Sequence, residues 1–279
     1  MIRGSASLGR FRPTGRRWSV PVRRHVLDEP ASREAAPADR AIVPFPVPSA
    51  LLADCGVFCV ETTERRVALT FDDGPSPDGT PGVLEALGSH GARATFFVLV
   101  SQVEAHLDLA RRIVDEGHEV ALHGTGHESL LGYDDHEGPR VVTAARERLE
   151  ELLGVRVDAY RPPYGHHTAR QARRIRRSGL EVVLWSADAR DWLHDDEEVI
   201  ARRALAEIRP GGILLLHDHR GDPETLRPDE ELPHFDRGRV TDLILAGLAV
   251  SGYTTATVGE LLTSHRVVRS RSAHRRTSA

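Results

Sequence analysis

The sequence has no lysine, so all 37 of its basic residues are arginine. It has no run of 18 or more apolar residues, which excludes a membrane-spanning helix of ordinary length within it. The first 27 residues hold seven arginines, including the pair Arg16-Arg17, and no acid, but no apolar segment follows them. A secretory signal is therefore not predicted. We expect a cytoplasmic protein, or an extracellular one if the mature N-terminus differs from Met1.

Cysteine is scarce, because Cys55 and Cys59 are the two that the chain contains. Two thiols without further partners are too few to bind a metal ion. A small disulfide loop would require an oxidising compartment. We therefore favour two reduced and half-buried thiols at these positions.

The net charge of −4 conceals an uneven distribution along the chain. Residues 1–45 carry a net charge of +5, and so do residues 265–279, which leaves −14 for the segment between them. An acidic body of this kind argues against a nucleic-acid-binding domain. The composition predicts a disordered Arg/Pro-rich segment over 1–50 and a basic disordered tail over 265–279. One folded domain is expected over 51–264.

From Val67 onward, apolar strand-like runs alternate with helix-like segments. The strand-like runs are Val67–Phe71, Ala94–Val98, Glu119–Leu122, Val182–Trp185, Ile213–Leu216 and Thr254–Thr257. The helix-like segments are Pro81–Ser89, Val103–Glu116, Arg140–Leu153, Thr168–Ser178, Asp196–Ile208 and Arg239–Ser251. Gly117, Gly179 and Gly252 each follow a helix-like segment, where a C-cap glycine is common. The alternation predicts βαβ units in a parallel sheet, and their number favours a barrel-like closed sheet.

The stretch Thr70-Phe71-Asp72-Asp73-Gly74-Pro75 places two adjacent carboxylates at the end of the first strand-like run. Neighbouring side chains of a strand point to opposite faces, so Asp72 and Asp73 reach one cleft only if the strand ends between them. Gly74-Pro75 supplies the necessary turn. One carboxylate can then bind a metal ion while the other accepts a proton. A solvated acidic turn is the alternative for this stretch taken alone.

Further ionisable residues follow other strand-like runs, and in a parallel α/β barrel chemistry collects at the carboxyl ends of the strands. These residues are His123, Arg161, Asp188, Asp191, His217 and Asp218. His123 and His127 are four residues apart, a spacing that suits one metal ion. With Asp73 they form a set of two histidines and a carboxylate that leaves positions open for water and substrate. Such a set is typical of catalytic zinc, and it also suits iron or cobalt.

Five segments resemble, in order and spacing, the five motifs of the polysaccharide deacetylases, the NodB-homology enzymes of carbohydrate esterase family 4. They are Thr70–Pro75, His123–His127, Arg161–Tyr164, Asp188–Trp192 and Leu215–Asp218. The resemblance covers roughly residues 66–262. It implies an α/β fold, a distorted (β/α) barrel of parallel strands with outer helices. It also implies that metal-activated water removes N-acetyl or O-acetyl groups from an acetylated sugar or polysaccharide.

The resemblance also implies a role for each matching residue around the ion. Asp73, His123 and His127 match the ligands of one divalent metal, with Zn²⁺ expected and Co²⁺, Mn²⁺ or Ni²⁺ as alternatives. Asp72 matches the catalytic base, and Arg161 matches the arginine that orients that base.

The remaining matches concern the leaving group and the acetyl pocket. His217 matches the general acid, and Asp191 matches the carboxylate that tunes it, with Asp188 as its rival. Tyr164 matches the residue whose backbone N–H holds the oxyanion. Two apolar residues match the lining of the acetyl pocket: Trp192 and Leu215.

The chain departs from the family at Gly124, where a serine or threonine commonly follows the first histidine, and Thr125 is a candidate substitute. Two other functions remain open. One is a cytosolic amidohydrolase of a small non-sugar amide. The other is a catalytically inactive carbohydrate-binding module, which we disfavour because every matching position keeps its functional residue. The expected partner is an acetylated carbohydrate, nucleic acid is not expected, and the oligomeric state is left open.

Overall fold

The computed structural model describes residues 18–22, 47–220 and 231–270 of the chain. The strands in these ranges are β1 (Trp18–Val22), β2 (Val47–Pro48), β3 (Gly56–Glu61), β4 (Arg66–Asp72), β5 (Thr95–Leu99), β6 (Glu119–Gly124), β7 (Ala159–Tyr160), β8 (Glu181–Val182), β9 (Ala187–Asp188), β10 (Ile213–His217), β11 (Thr254–Ala256) and β12 (Arg266–Ser270). The helices are α1 (Thr80–Ser89), α2 (Val100–Ala105), α3 (Leu107–Asp115), α4 (Glu137–Leu153), α5 (Ala169–Arg177), α6 (Glu197–Glu207), α7 (Arg237–Val250) and α8 (Val258–Ser264).

The larger sheet is parallel and runs in the order β8-β7-β6-β5-β4-β10-β9, with β11 paired to the first half of β4. Residues 181–182 pair with β7, and residues 187–188 pair with β10. A single short stretch of chain therefore serves both edges, and the sheet curls into a distorted barrel. The predicted parallel sheet with barrel-like closure is confirmed.

The side chains of β4 alternate between the two faces of this sheet, as the period of a strand requires. Val67, Leu69 and Phe71 belong to the large apolar core beneath the helices. Ala68 belongs to a smaller core on the other face. Asp72 continues the series of Ala68, so its carboxylate lies on the inner face at the carboxyl end of the strand.

Most of the predicted elements are present, and one strand and one helix differ. The strand predicted over Val182–Trp185 is confined to Glu181–Val182, and the next strand begins at Ala187. The segment predicted as a single helix over Val103–Glu116 is two helices, α2 and α3, which are separated at His106 with φ −134° and ψ 51°. Gly117, Gly179 and Gly252 have φ of 83°, 95° and 71°. These left-handed values confirm the predicted helix-terminating positions.

A second, four-stranded sheet in the order β2-β1-β12-β3 was not predicted. The expectation of a disordered tail over 265–279 is wrong for Arg266–Ser270, and that of disorder over 1–50 is wrong for Trp18–Val22. The folded domain therefore extends past its predicted boundaries, and residues 47–50 and His265 also belong to the described part of the chain. Residues 1–17, 23–46 and 271–279 lie outside it. Arginines flank Val267 and Val268, and this basic composition predicted a disordered segment. Both valines are fully buried against the domain.

Cys55 and Cys59 are not joined by a disulfide, as expected, and both are buried rather than half-buried. Burial raises the pKa of the Cys59 thiol, with a smaller contribution in the same direction from Glu61. Such a protonated, enclosed thiol is unreactive. Among the described residues, no helix combines the length and the apolar character that crossing a membrane requires.

A buried ion pair attaches the second sheet to the barrel. The fully buried Arg269 of β12 donates from Nη2 to Oε2 of Glu181 on β8 at 2.9 Å, and from Nε to Oγ of Ser19 at 3.0 Å. Arg176 donates from Nε to the same Glu181 oxygen at 3.3 Å. A buried guanidinium is tolerated only with such compensation.

We expect Glu181→Ala to lower the free energy of unfolding by about 3–5 kcal/mol, because Arg269 would remain buried without its carboxylate. Glu61→Ala is the matched control, because Glu61 forms an ion pair with Arg266, which lies on β12 like Arg269. The two charged atoms are 2.9 Å apart, and this ion pair is exposed to solvent. The control should cost less than about 1 kcal/mol. Urea denaturation of both variants measures the two values, and equal losses would contradict the prediction.

Candidate active site

The turn after β4 brings two carboxylates to the same side of the barrel. The strand ends at Asp72, and Asp73 has φ 78°, so the chain bends between the two residues as predicted. A side chain at Gly74 would place its Cβ 2.2 Å from Oδ2 of Asp218. Asp218 is buried and accepts hydrogen bonds from N–H of Gly74 at 3.2 Å and from Oγ1 of Thr80 at 2.5 Å. Asp218 therefore holds the turn, which only glycine fits.

The three predicted metal ligands lie together at this turn. Oδ1 of Asp73 is 3.3 Å from Nε2 of His123 and 3.3 Å from Nε2 of His127. Their ligand atoms all lie within 4.8 Å of one another. Asp73 directly after β4, His123 near the end of β6 and His127 in the loop after β6 thus converge on one point at the carboxyl ends of the strands.

The chemistry of the three side chains fits a cation. Nδ1–H of His123 donates to the carbonyl of Arg161 at 2.8 Å, which leaves the Nε2 lone pair directed at Asp73. Burial lowers the pKa of His127, which favours the neutral imidazole that binds metals. Oδ1 of Asp73 is buried and accepts no hydrogen bond from any residue that the structure describes. A positive ion is the partner that this oxygen lacks.

Asp73 is held in its ionised form by the surrounding histidines. Burial alone would raise the pKa of its carboxyl group, but the close approach of His123 and the positive charge of His217 outweigh it and lower the pKa. The ionised carboxylate is the form that binds a metal ion.

The neighbouring carboxylate, Asp72, is fixed by a fully buried arginine. Nη1 of Arg161 donates to Oδ1 of Asp72 at 2.6 Å and to Oγ1 of Thr70 at 2.8 Å, and Nη2 donates to the carbonyl of Leu184 at 3.1 Å. The guanidinium also stacks on Phe97, with its Cζ 4.1 Å from the ring centroid. The other oxygen of Asp72, Oδ2, lies 3.8 Å from Nε2 of His123. Arg161 therefore occupies one carboxylate oxygen and leaves the second facing the cluster.

On the other side, His217 lies opposite Asp72 in the register of the parallel strands β10 and β4. Its Nδ1–H donates to Oδ1 of Asp191 at 2.7 Å, and its backbone N–H donates to Oδ2 of Asp191 at 2.8 Å. The carboxylate of Asp188 instead accepts from the backbone N–H of Arg190 at 2.8 Å. The structure thus brings Asp191, and not its rival Asp188, to His217.

Burial by itself would lower the pKa of His217, but the charge and hydrogen bond of Asp191, with the charges of Asp73 and Asp72, raise it to about 10. Burial would likewise raise the pKa of Asp191, and His217 with Arg237 lowers it. The pair is therefore an imidazolium and a carboxylate at neutral pH.

Tyr164 and Leu215, two of the residues predicted to line the substrate, lie beside these groups. Leu215 is buried two residues before His217 and so faces the same side of β10. Trp192 follows Asp191 and is partly buried. Tyr164 has φ 57°, and its ring contacts that of His127 with the centroids 4.5 Å apart.

The loop between the two histidines differs from the expectation for Thr125. Gly124 has φ 154°, and a Cβ there would lie 2.6 Å from the carbonyl oxygen of Gly126. The side chain of Thr125 is exposed, and its carbonyl accepts a hydrogen bond from N–H of Ser101 at 2.9 Å. The main chain therefore steadies this loop, while the side chain of Thr125 is exposed to solvent.

Sequence reasoning missed two residues near the site. Trp185, predicted only as the end of a strand, has its ring centroid 5.8 Å from Cζ of Arg161. Arg237 donates to both Asp191 and the carbonyl of His217. Arg237 lies 20 positions after His217 and outside every motif, so no local pattern marks it.

Comparisons with known proteins identify relatives of this chain. Residues 60–183 match the family model described as polysaccharide deacetylase. A peptidoglycan-N-acetylglucosamine deacetylase, PgdA of Listeria monocytogenes, is 34% identical over 200 residues, which are 71% of this chain and 39% of the relative. A chitooligosaccharide deacetylase of a Bradyrhizobium species is 43% identical over 155 residues, which are 55% of this chain and 71% of the relative.

Solved structures show the same architecture. Peptidoglycan deacetylase PdaC from Bacillus subtilis is 29% identical and superimposes with a TM-score of 0.61 over 72% of this chain and 92% of its own. The chain spans about two fifths of the length of the Listeria relative and about seven tenths of the Bradyrhizobium one. These matches, together with the five motifs at one end of the barrel, show that the chain belongs to the polysaccharide deacetylase family.

Proposed function

We propose that the protein is a metal-dependent hydrolase that removes the N-acetyl group from an acetylated amino sugar within a glycan. The observation that carries this proposal is the convergence of Asp73, His123 and His127 between a positioned carboxylate, Asp72, and a positioned imidazolium, His217. The names of the relatives support polymers or oligomers of N-acetylglucosamine as the substrate class.

Asp73, His123 and His127 would hold the ion. Zn²⁺ suits a set of two imidazoles and a carboxylate, and Co²⁺, Mn²⁺ and Ni²⁺ accept the same donors. When bound, such an ion lowers the pKa of water and polarises the acetyl carbonyl.

In this proposal Asp72 is the general base. Arg161 saturates its Oδ1, so that Oδ2 remains available to take a proton from the attacking water. The fully buried guanidinium also prevents rotation of the carboxylate, because it is itself bound to Thr70 and Leu184. Removing the proton as the oxygen attacks the acetyl carbon makes water an effective nucleophile.

His217 is the general acid, since breakage of an amide requires that the departing nitrogen receive a proton. Asp191 occupies Nδ1 and leaves Nε2 as the donating atom. The backbone N–H of Tyr164 is assigned to the developing oxyanion. The acetyl methyl group is assigned to a pocket of Trp192 and Leu215.

A panel of N-acetylated chitooligosaccharides, acetylxylan and small non-sugar amides tests the substrate class. Acetate release from the chitooligosaccharides alone supports an amino-sugar deacetylase. Turnover confined to the small amides would favour the alternative amidohydrolase. Sugar binding without any acetate release would favour an inactive binding module.

We expect Asp73→Ala to weaken Zn²⁺ binding by more than about 100-fold, because it removes the ligand with the negative charge. The matched control is Asp78→Ala, which removes an exposed carboxylate from the same loop. Isothermal titration calorimetry of the metal-depleted proteins provides the measurement. If Asp73→Ala and the parent bind Zn²⁺ equally, the ligand assignment is incorrect.

We expect Asp72→Asn to bind Zn²⁺ within about threefold of the parent while its kcat falls about 10²- to 10⁴-fold, since the amide cannot accept the proton. Metal content and acetate release are measured on the same preparation. A variant that turned over acetylated sugar at the parental rate would remove Asp72 from the role of base.

A further inference from the structure

Arg237 begins helix α7 and belongs to none of the five motif segments. Its Nη1 donates to the carbonyl of His217 at 2.8 Å and to Oδ2 of Asp191 at 3.3 Å. The side chain is 14% exposed, and that of Asp191 is 2% exposed. One guanidinium therefore contacts both members of the His217–Asp191 pair.

The surroundings of Arg237 fix its position. Its Cζ lies 4.6 Å from the ring centroid of Phe235. A Cβ added to Gly79 would lie 2.9 Å from Cδ of Arg237 and 2.2 Å from the carbonyl oxygen of Asp218. The turn between β4 and α1 thus closes directly over the side chain, and the glycine makes room for it.

The two oxygens of Asp191 have separate partners. Oδ2 accepts from the backbone N–H of His217 and from Arg237, whereas Oδ1 accepts from the imidazole. A carboxylate turns easily about its terminal torsion, since that torsion has no strong staggered preference. A charge-assisted hydrogen bond to one oxygen therefore determines where the other points.

We propose that Arg237 is a positioning residue for the general acid, which fixes Asp191 so that its Oδ1 holds the imidazole of His217 with Nε2 toward the leaving nitrogen. This inference rests on the proposed function. Arg203 offers a contrast, because it donates to the carbonyls of Ala189 and Arg190 at 3.0 and 3.2 Å and to the carboxylate of Asp195. These bonds anchor the loop after Asp188, whereas Arg237 donates to Asp191 itself.

The test compares Arg237→Ala, Arg237→Lys and Arg239→Ala in the full-length, zinc-loaded protein. Arg239 is the matched control, because it lies on the same helix, is exposed, and pairs with Asp242 at the surface. For an N-acetylated chitooligosaccharide, we expect Arg237→Ala to lower kcat about 10- to 100-fold with KM and zinc content within about twofold. Arg237→Lys should recover part of the loss, and it serves as the test variant if the alanine variant does not fold.

A second substrate separates positioning from general damage. 4-Nitrophenyl acetate releases a phenolate that needs no proton, so its hydrolysis should change by less than about threefold in Arg237→Ala. If the amide and the ester lose rate by the same factor, Arg237 is only structural and the inference is overturned.

The arrangement also has a readout that is independent of activity. The Nδ1–H proton of His217 should give a far-downfield NMR resonance, assigned by its disappearance in His217→Gln. It should persist in Arg239→Ala and be lost or shifted in Arg237→Ala. An unchanged resonance in Arg237→Ala, or none in the parent, overturns the inference. A parent that shows the resonance but releases no acetate from any sugar refutes the proposed function instead.

Discussion

The buried contact between Arg161 and Asp72 is the interaction on which the arrangement of the site depends. The guanidinium binds the carboxylate that ends β4, while the carbonyl of the same arginine accepts Nδ1–H of His123 at the end of β6. One residue therefore orients both the proposed base and one proposed metal ligand. Because Arg161 is fully buried, these bonds act in a medium of low polarity, where water does not compete for them.

The rest of the site follows from the need to compensate buried charge. Asp72 has Arg161, Asp191 has His217 and Arg237, and Asp218 has the hydroxyl of Thr80 and the N–H of Gly74. Asp73 differs, because its Oδ1 accepts no hydrogen bond from the described residues and lies 3.3 Å from Nε2 of both His123 and His127. Fixed charges and dipoles of this kind need no rearrangement during a reaction, which is the basis of electrostatic catalysis.

The barrel makes this convergence geometrically simple. Residues 72, 123 and 217 lie on the inner face of their strands near the carboxyl ends. The parallel sheet therefore places them at the same end of the barrel. The second sheet plays a different part. Its strand β12 attaches to β3 and, through Arg269 and Glu181, to the edge of the barrel away from the proposed chemistry. The basic C-terminal segment is therefore partly structural, and its arginines are not all solvated.

Local sequence was sufficient for the alternating strands and helices, for the turn at Asp73 and for the strand-end positions of the five motifs. These features depend on periodicity, on turn chemistry and on residues close together in the chain. The choice of Asp191 over Asp188, the buried strand Arg266–Ser270 and the position of Arg237 depended on the tertiary structure. Each of these three features depends on contacts between segments that lie tens to hundreds of residues apart. The sequence around a charged residue does not show which distant residue it will contact. From the sequence alone an arginine is predicted to be exposed, and only the fold shows which buried carboxylate it neutralises.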